Sequence, residues 1–175
     1  MRYLSFQDMF FRKKNNEKSK EPKPWHYAVL LGIVAISFVV WMFQDKMDVV
    51  TLEVKDERLQ VLVASTFQQQ YRGLGGRESL GEYDGMLFPF GYEGRHAIVM
   101  RDMRFPIDIV WLRYNEVVDI APMVPIEPDE SEHALFRYTP RTDATTVLEL
   151  EAGRASELGL RIGDTVRLIE NESVL

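Results

Sequence analysis

The hydropathy pattern divides the chain near residue 44. From Trp25 to Phe43 it reads WHYAVLLGIVAISFVVWMF, 19 residues without Asp, Glu, Lys or Arg. A helix rises about 1.5 Å per residue, so roughly 20 apolar residues cross a hydrocarbon core. Trp25 and Tyr27 stand at one end and Trp41 at the other, where aromatic rings settle at the two interfaces. The segment predicts a single transmembrane helix. It exceeds the about 7–15 apolar residues of a cleaved signal, and Gln44-Asp45-Lys46 follows it in place of an Ala-x-Ala site. An uncleaved signal-anchor is the expectation.

Beyond Asp48 the period shortens to that of strands. Val49–Val54 and Leu59–Ala64 are β-rich runs, and Asp56-Glu57 between them predicts a hairpin turn. Ser65-Thr66 opens a short helix, with Gln68 or Gln69 at the capping-box position and Gly73 as its stop. Met86-Leu87-Phe88 is a short apolar run ended by Pro89. Ala97–Met100, Ile107–Leu112 and Val117–Ile120 read as strands, with a turn at Asn115. Ala121 to Pro140 holds four of the eight prolines and predicts a loop, its acidic stretch Glu127–Glu132 solvated. Thr145–Leu150 is a strand, Arg154–Leu158 a helical turn closed by Gly159, Gly163-Asp164 a turn, and Thr165–Ile169 the last strand. There is no internal repeat. The pattern predicts a mainly β fold: a compact sandwich or barrel-like domain with one or two short helices, preceded by the single transmembrane helix.

Charge orients the segment. The chain has 21 Lys/Arg and 27 Asp/Glu; residues 1–24 hold 7 and 3 of them, so the remainder holds 14 and 24. The positive-inside rule puts residues 1–24 in the cytoplasm as a basic tail and residues 44–175 outside as a β domain, with 25–43 spanning the cell membrane. Within the tail, Met1–Phe11 predicts a short amphipathic turn on the membrane surface, and Arg12–Pro24 a Lys-rich linker. The acidic remainder repels phosphate, which argues against nucleic acid as a partner.

Candidate chemistry is sparse. With no cysteine, disulfides, thiolate metal sites and Cys nucleophiles are excluded. There is no P-loop, no G-x-S-x-G and no dinucleotide fingerprint. His26, His96 and His133 are too scattered for a metal cage. His96, Met100 and Met103 are soft-metal donors, but the plainer reading makes Met100 core and His96 a surface turn residue. No metal and no cofactor is expected. Asp84, Asp108 and Glu149 are candidate carboxylates for acid–base hydrolysis. Against this, Asp84 precedes Gly85 in a turn, and Asp108 and Glu149 lie in strands where Arg77, Arg101 or Arg104 can pair with them.

Three runs carry a family resemblance. Gly73-Leu74-Gly75-Gly76-Arg77, Ser79-Leu80 and Asp84–Phe90 form the first; Val99–Val110 the second; Val147–Gly153, Gly159-Leu160 and Gly163-Asp164 the third. In this order over about residues 50–170 they resemble the family known as domain of unknown function 192 (DUF192). The chain departs from the family's usual pattern at Gly75 (usually Met), Val99 (commonly Trp) and Met103 (commonly Thr). The resemblance implies a small, mainly β domain, often exported or membrane-anchored, and no activity.

Arg77, Met100, Arg101, Asp108 and Glu149 fall on the matched motifs and form the candidate ligand-binding or structural cluster. Arginine and carboxylate together clamp a polar ligand or tie loops in place. For Asp108 and Glu149 the structural role is favoured, because charged groups inside a small β domain are usually paired. The expected function is a membrane-tethered, extracytoplasmic binding or accessory module of the cell envelope. Its partners would be the lipid bilayer through residues 25–43 and an unidentified envelope protein, glycan or small ligand. The alternative is a hydrolase acting on an envelope polymer through a carboxylate pair.

Overall fold

A computed structural model of the chain describes residues 23–44 and 46–169. The expected amphipathic turn at Met1–Phe11 and most of the Lys-rich linker lie outside the described residues. The chain divides into two compact units with the boundary between Gln44 and Asp45.

Among the described residues the first unit contains one helix, α1 (Pro24–Gln44). Pro24 at its start suits a first-turn position, whose N–H has no partner within the helix. All described side chains in it, Trp25 to Phe38, are exposed. Among the described residues no helix is long and apolar enough to cross a membrane. The span expected at 25–43 includes side chains 39–43, which lie outside the described set.

The second unit is mainly β. Its elements are β1 (Asp48–Val54), β2 (Glu57–Val63), α2 (Phe67–Arg72), β3 (Gly85–Gly94), β4 (Ile107–Arg113), β5 (Glu116–Val124), β6 (Ala144–Glu151), α3 (Arg154–Glu157) and β7 (Val166–Ile169). They form one seven-stranded sheet in the order β5-β4-β6-β3-β2-β1-β7, in which only β2 and β3 run parallel. The two edge strands then meet. Glu116 bridges Thr165, and the Val117 N–H donates to the Asp164 carbonyl at 2.9 Å. The sheet is therefore curled into a half-barrel, the barrel-like alternative and not a two-sheet sandwich.

Alternation sends side chains to two cores. Inside the curl lie Leu52, Val61, Val110, Leu148, Leu150 and Val166, closed at one end by Ala155, Leu158 and Leu160 of the α3 segment. On the outer face lie Met86, Phe88, Ile107, Ile109, Trp111 and Val147, covered by Leu74, Leu80, Ile98 and Met100 from loops. β4 is buried on both faces along Ile107–Leu112, which explains its unbroken apolar run.

The local signals hold with corrections. The hairpin turn is Lys55–Asp56, one residue earlier than expected, with Lys55 at φ 55°. Thr66 caps α2 and Gln69 completes the capping box, while Gly73 closes the helix at φ 53°. Pro89 does not end its strand. It pairs opposite Thr146 just where the β3–β6 register shifts, so its missing N–H breaks no continuous ladder. Ala97–Met100 is not a strand. Ile98 makes a single bridge to Tyr138, and the run is buried as a covering segment. The expected loop starts later, because β5 continues through Pro122 to Val124. Pro122 and Met123 form a bulge there: Ile107 faces Val124, Ile109 faces Ala121, and Asp108 faces the extra residues.

Candidate functional site

Glu149 is carried by β6 between Met86 of β3 and Ile109 of β4. Its neighbours Leu148 and Leu150 point inside the curl, so Glu149 points to the outer face. Gly85 fixes this stretch of β6. A Cβ at Gly85 would stand 2.3 Å from the Glu149 carbonyl oxygen, so only glycine permits the two strands to approach here. Glu149 is 5% exposed, and no described residue hydrogen-bonds its carboxyl. Burial pushes its pKa from 4.5 up to about 8, so the carboxyl is mostly neutral near pH 7.

Glu149 opens onto a cavity of about 340 Å³. Phe67 and Tyr71 of α2, Leu74, and Phe88 and Phe90 of β3 supply apolar wall. α2 is a short helix with no buried residue; Phe67 is 81% exposed and Tyr71 54%, with their rings stacked 6.3 Å apart. A helix whose aromatic residues stay uncovered is held by its caps and not by a core. A more open groove of about 850 Å³ adjoins the cavity and shares Phe67, Tyr71, Arg101 and Met103 with it.

Three arginines line the cavity: Arg72, Arg101 and Arg137. Arg101 directs Nε and Nη2 at the two carboxylate oxygens of Glu132, the first at 2.6 Å, and Nη1 at the Tyr71 carbonyl at 2.5 Å. Its guanidinium carbon also lies 3.9 Å from the centre of the Tyr71 ring. The hydrogen bonds from Arg101 hold the Glu132 carboxyl below its ordinary value, and Glu132 in turn raises Arg101. The Arg137 guanidinium lines the same cavity, is exposed, and makes no hydrogen bond or ion pair among the described residues, although its charge helps to hold Glu132 low; its backbone carbonyl accepts from Thr139 Oγ1 at 3.4 Å.

The five candidate residues are dispersed. Arg101 and Glu149 share the cavity. Met100 is 1% exposed and belongs to the outer core. Arg77 is half-buried and lines none of the cavities described. Asp108 lies across the sheet: it faces Leu150, whereas Glu149 faces Ile109. Asp108 accepts backbone N–H groups of Met123 at 2.8 Å, Gly153 at 3.0 Å and Ala155 at 2.8 Å. It thereby satisfies the β5 bulge and the start of α3, and its partners are amides where arginine was expected. Glu149 also lacks the arginine partner anticipated for it.

The other acids do not complete a catalytic pair. Asp84 accepts the Gln60 N–H at 2.7 Å, and Glu149 is the one acidic residue among those lining the cavity. Among the described residues no group of three or more His, Asp or Glu is placed to hold a metal ion. His96 is buried where a surface position was expected: its ring stacks on Phe90 at 4.0 Å, and its Nε2 lies 3.0 Å from the Tyr92 carbonyl. Pattern reading missed Glu132 and Arg137. The acidic stretch is exposed from Pro128 to Glu132, as expected, and also supplies an ion pair to Arg101, 31 residues away in sequence.

Over residues 50–168 the chain matches the model of DUF192, described as an uncharacterized ACR. It belongs to the DUF192 family. This DUF192 domain is similar to a crystal structure of a protein of unknown function from Novosphingobium aromaticivorans DSM 12444. That pair is 26% identical with a TM-score of 0.57, over 69% of this chain and 84% of the other. It shares its fold with a putative transcription regulator from Sinorhizobium meliloti 1021, at 24% identity and a TM-score of 0.60, over 70% of this chain and 94% of the other. No curated protein matches. Gly75, Val99 and Met103, where the chain departs from the family's usual pattern, all line the Glu149 cavity.

Proposed function

We propose that this DUF192 protein is a membrane-tethered binding module of the cell envelope. Helix 25–43 anchors it, the β domain stands outside, and the Glu149 cavity takes a small, partly apolar ligand. The observation that carries the binding reading is Glu149 itself. Its carboxyl has no hydrogen-bond partner among the described residues and keeps a small accessible surface, which faces the cavity. Buried polar groups are normally satisfied, so one that opens onto a cavity is suited to a partner that arrives from outside. The aromatic wall supplies apolar contact and the neutral carboxyl both donates and accepts. At about 340 Å³ the cavity sits at the small end of ligand sites, which run from about 300 to 1,000 Å³. The anchor reading rests on the uncharged 19-residue segment and its basic N-terminal flank.

Two measurements test it. A reporter active only outside the cytoplasm, fused after Leu175, should be active; normal expression without activity refutes the topology. Ligand-observed NMR of the full chain against small aromatic and aliphatic compounds should give hits that Val99→Trp abolishes, because an indole at that wall position fills the cavity. Identical hits in both proteins would move the site elsewhere.

A further inference from the structure

We propose that the cavity binds a small organic monocarboxylate with an apolar body, its head on the Arg101 fork, and that Glu132 of the same chain occupies that fork until the ligand displaces it. This rests on the reading of the cavity as a ligand site and names its ligand class and its regulation.

Arg101 is positioned without Glu132. Its Nη1 is tied to the Tyr71 carbonyl and its face is stacked on the Tyr71 ring, so Nε and Nη2 present two parallel N–H groups whatever accepts them. A carboxylate is the acceptor that matches both at once. Glu132 supplies one now, but from an exposed position: its side chain is 48% exposed, that of Arg101 21%. The acid on the fork is therefore open to solvent and to a competing carboxylate.

Arg137 adds a guanidinium on the same wall that no described residue hydrogen-bonds and that acts on Glu132 only through space, so the arriving head gains a further cation. Glu149 opposes an anionic head less than its formula suggests. Burial keeps it mostly neutral, so it does not repel an anion bound at the mouth. Phe67, Tyr71, Phe88 and Phe90 receive the apolar body. Arginine at the mouth and aromatic residues along the wall together select a carboxylate on a hydrocarbon frame.

The probes are 3-phenylpropionate and its neutral analogue 3-phenylpropanol, titrated by calorimetry into the full chain in nanodiscs. The acid should bind at least about tenfold more tightly than the alcohol, as a charge-assisted pair with arginine demands. Glu132→Gln should tighten acid binding roughly two- to fivefold, because an exposed pair holds its own fork closed by no more than that factor. It should leave the alcohol unchanged. Glu130→Gln, which removes the same charge from the same loop without touching Arg101, should change neither. Arg101→Lys keeps the charge and loses the fork, and should weaken the acid alone. If acid and alcohol bind alike, or Glu132→Gln and Glu130→Gln act equally, the fork assignment is overturned while the cavity reading stands. If neither probe binds the parent protein or Glu132→Gln, both are overturned.

Discussion

Replacing Glu149 by Gln keeps the shape of the side chain and removes its ionisation. The carboxyl titrates near 4.5 when unfolded, and in the folded protein burial raises it to about 8. Between those values the folded state holds a proton that the unfolded state has released. Stability from this group is therefore full below the unfolded pKa and is lost as pH rises through the folded pKa. Integrating at about 1.36 kcal/mol per unit, the parent should lose about 4 kcal/mol between about pH 5 and pH 9, a loss that Glu149→Gln should not share. Every other titrating group is common to both proteins and cancels in the difference. For a unit of this size the two melting temperatures should separate by roughly 10–20 °C across that range, with the variant the more stable at high pH. Urea unfolding of the full chain in detergent measures the difference through Trp111, the one tryptophan beyond residue 44, which is 2% exposed. Curves that run parallel from pH 5 to 9, within about 1 kcal/mol, would mean that water reaches the carboxyl through the cavity and that it ionises normally.

Other substitutions separate structure from site. Asp108→Asn leaves an amide N–H₂ facing an N–H donor of Met123, Gly153 or Ala155, and should cost about 1–3 kcal/mol in urea unfolding without changing ligand binding. Gly85→Ala drives a methyl group into the Glu149 carbonyl, and backbone cannot move aside as a side chain can. It should cost about 3 kcal/mol or more and show as lost soluble yield; a normal yield and melting curve would mean that β3 and β6 lie farther apart.

Much of the fold was legible because the β domain obeys local rules. The alternation in Val49–Ala64 encodes the hairpin, and Thr66 with Gln69 encodes the start of α2. Where pattern reading failed, tertiary packing had overridden it. Ala97–Met100 has the composition of a strand, yet its apolar residues cover a sheet that is already formed, and burial alone accounts for them. Pro89 reads as a strand end and Pro122 as part of a loop, yet both lie inside strands at register shifts, where a missing N–H does little harm. The half-barrel depends on a bridge between Glu116 and Thr165, which no local spacing announces.

The candidate site was half legible for the same reason. Asp108 and Glu149 look alike in sequence: each is an acid in an apolar strand. Their fates are decided by the parity of the β4–β6 register, which pairs Asp108 with Leu150 and Glu149 with Ile109. One acid then meets the bulge of β5 and the start of α3, where unpaired amides await an acceptor. The other meets loops that leave a cavity. A shift of one residue would exchange the faces and strand both groups. The five-residue cluster joined two such carboxylates because motifs record order along the chain and not the side of the sheet. The Arg101–Glu132 pair was hidden in another way: both partners are ordinary surface residues until α2 brings the Tyr71 carbonyl to Nη1 and fixes the fork. An arginine held by a backbone carbonyl and a ring face, with its two remaining donors on an exposed acid, is prepared for a carboxylate from either source.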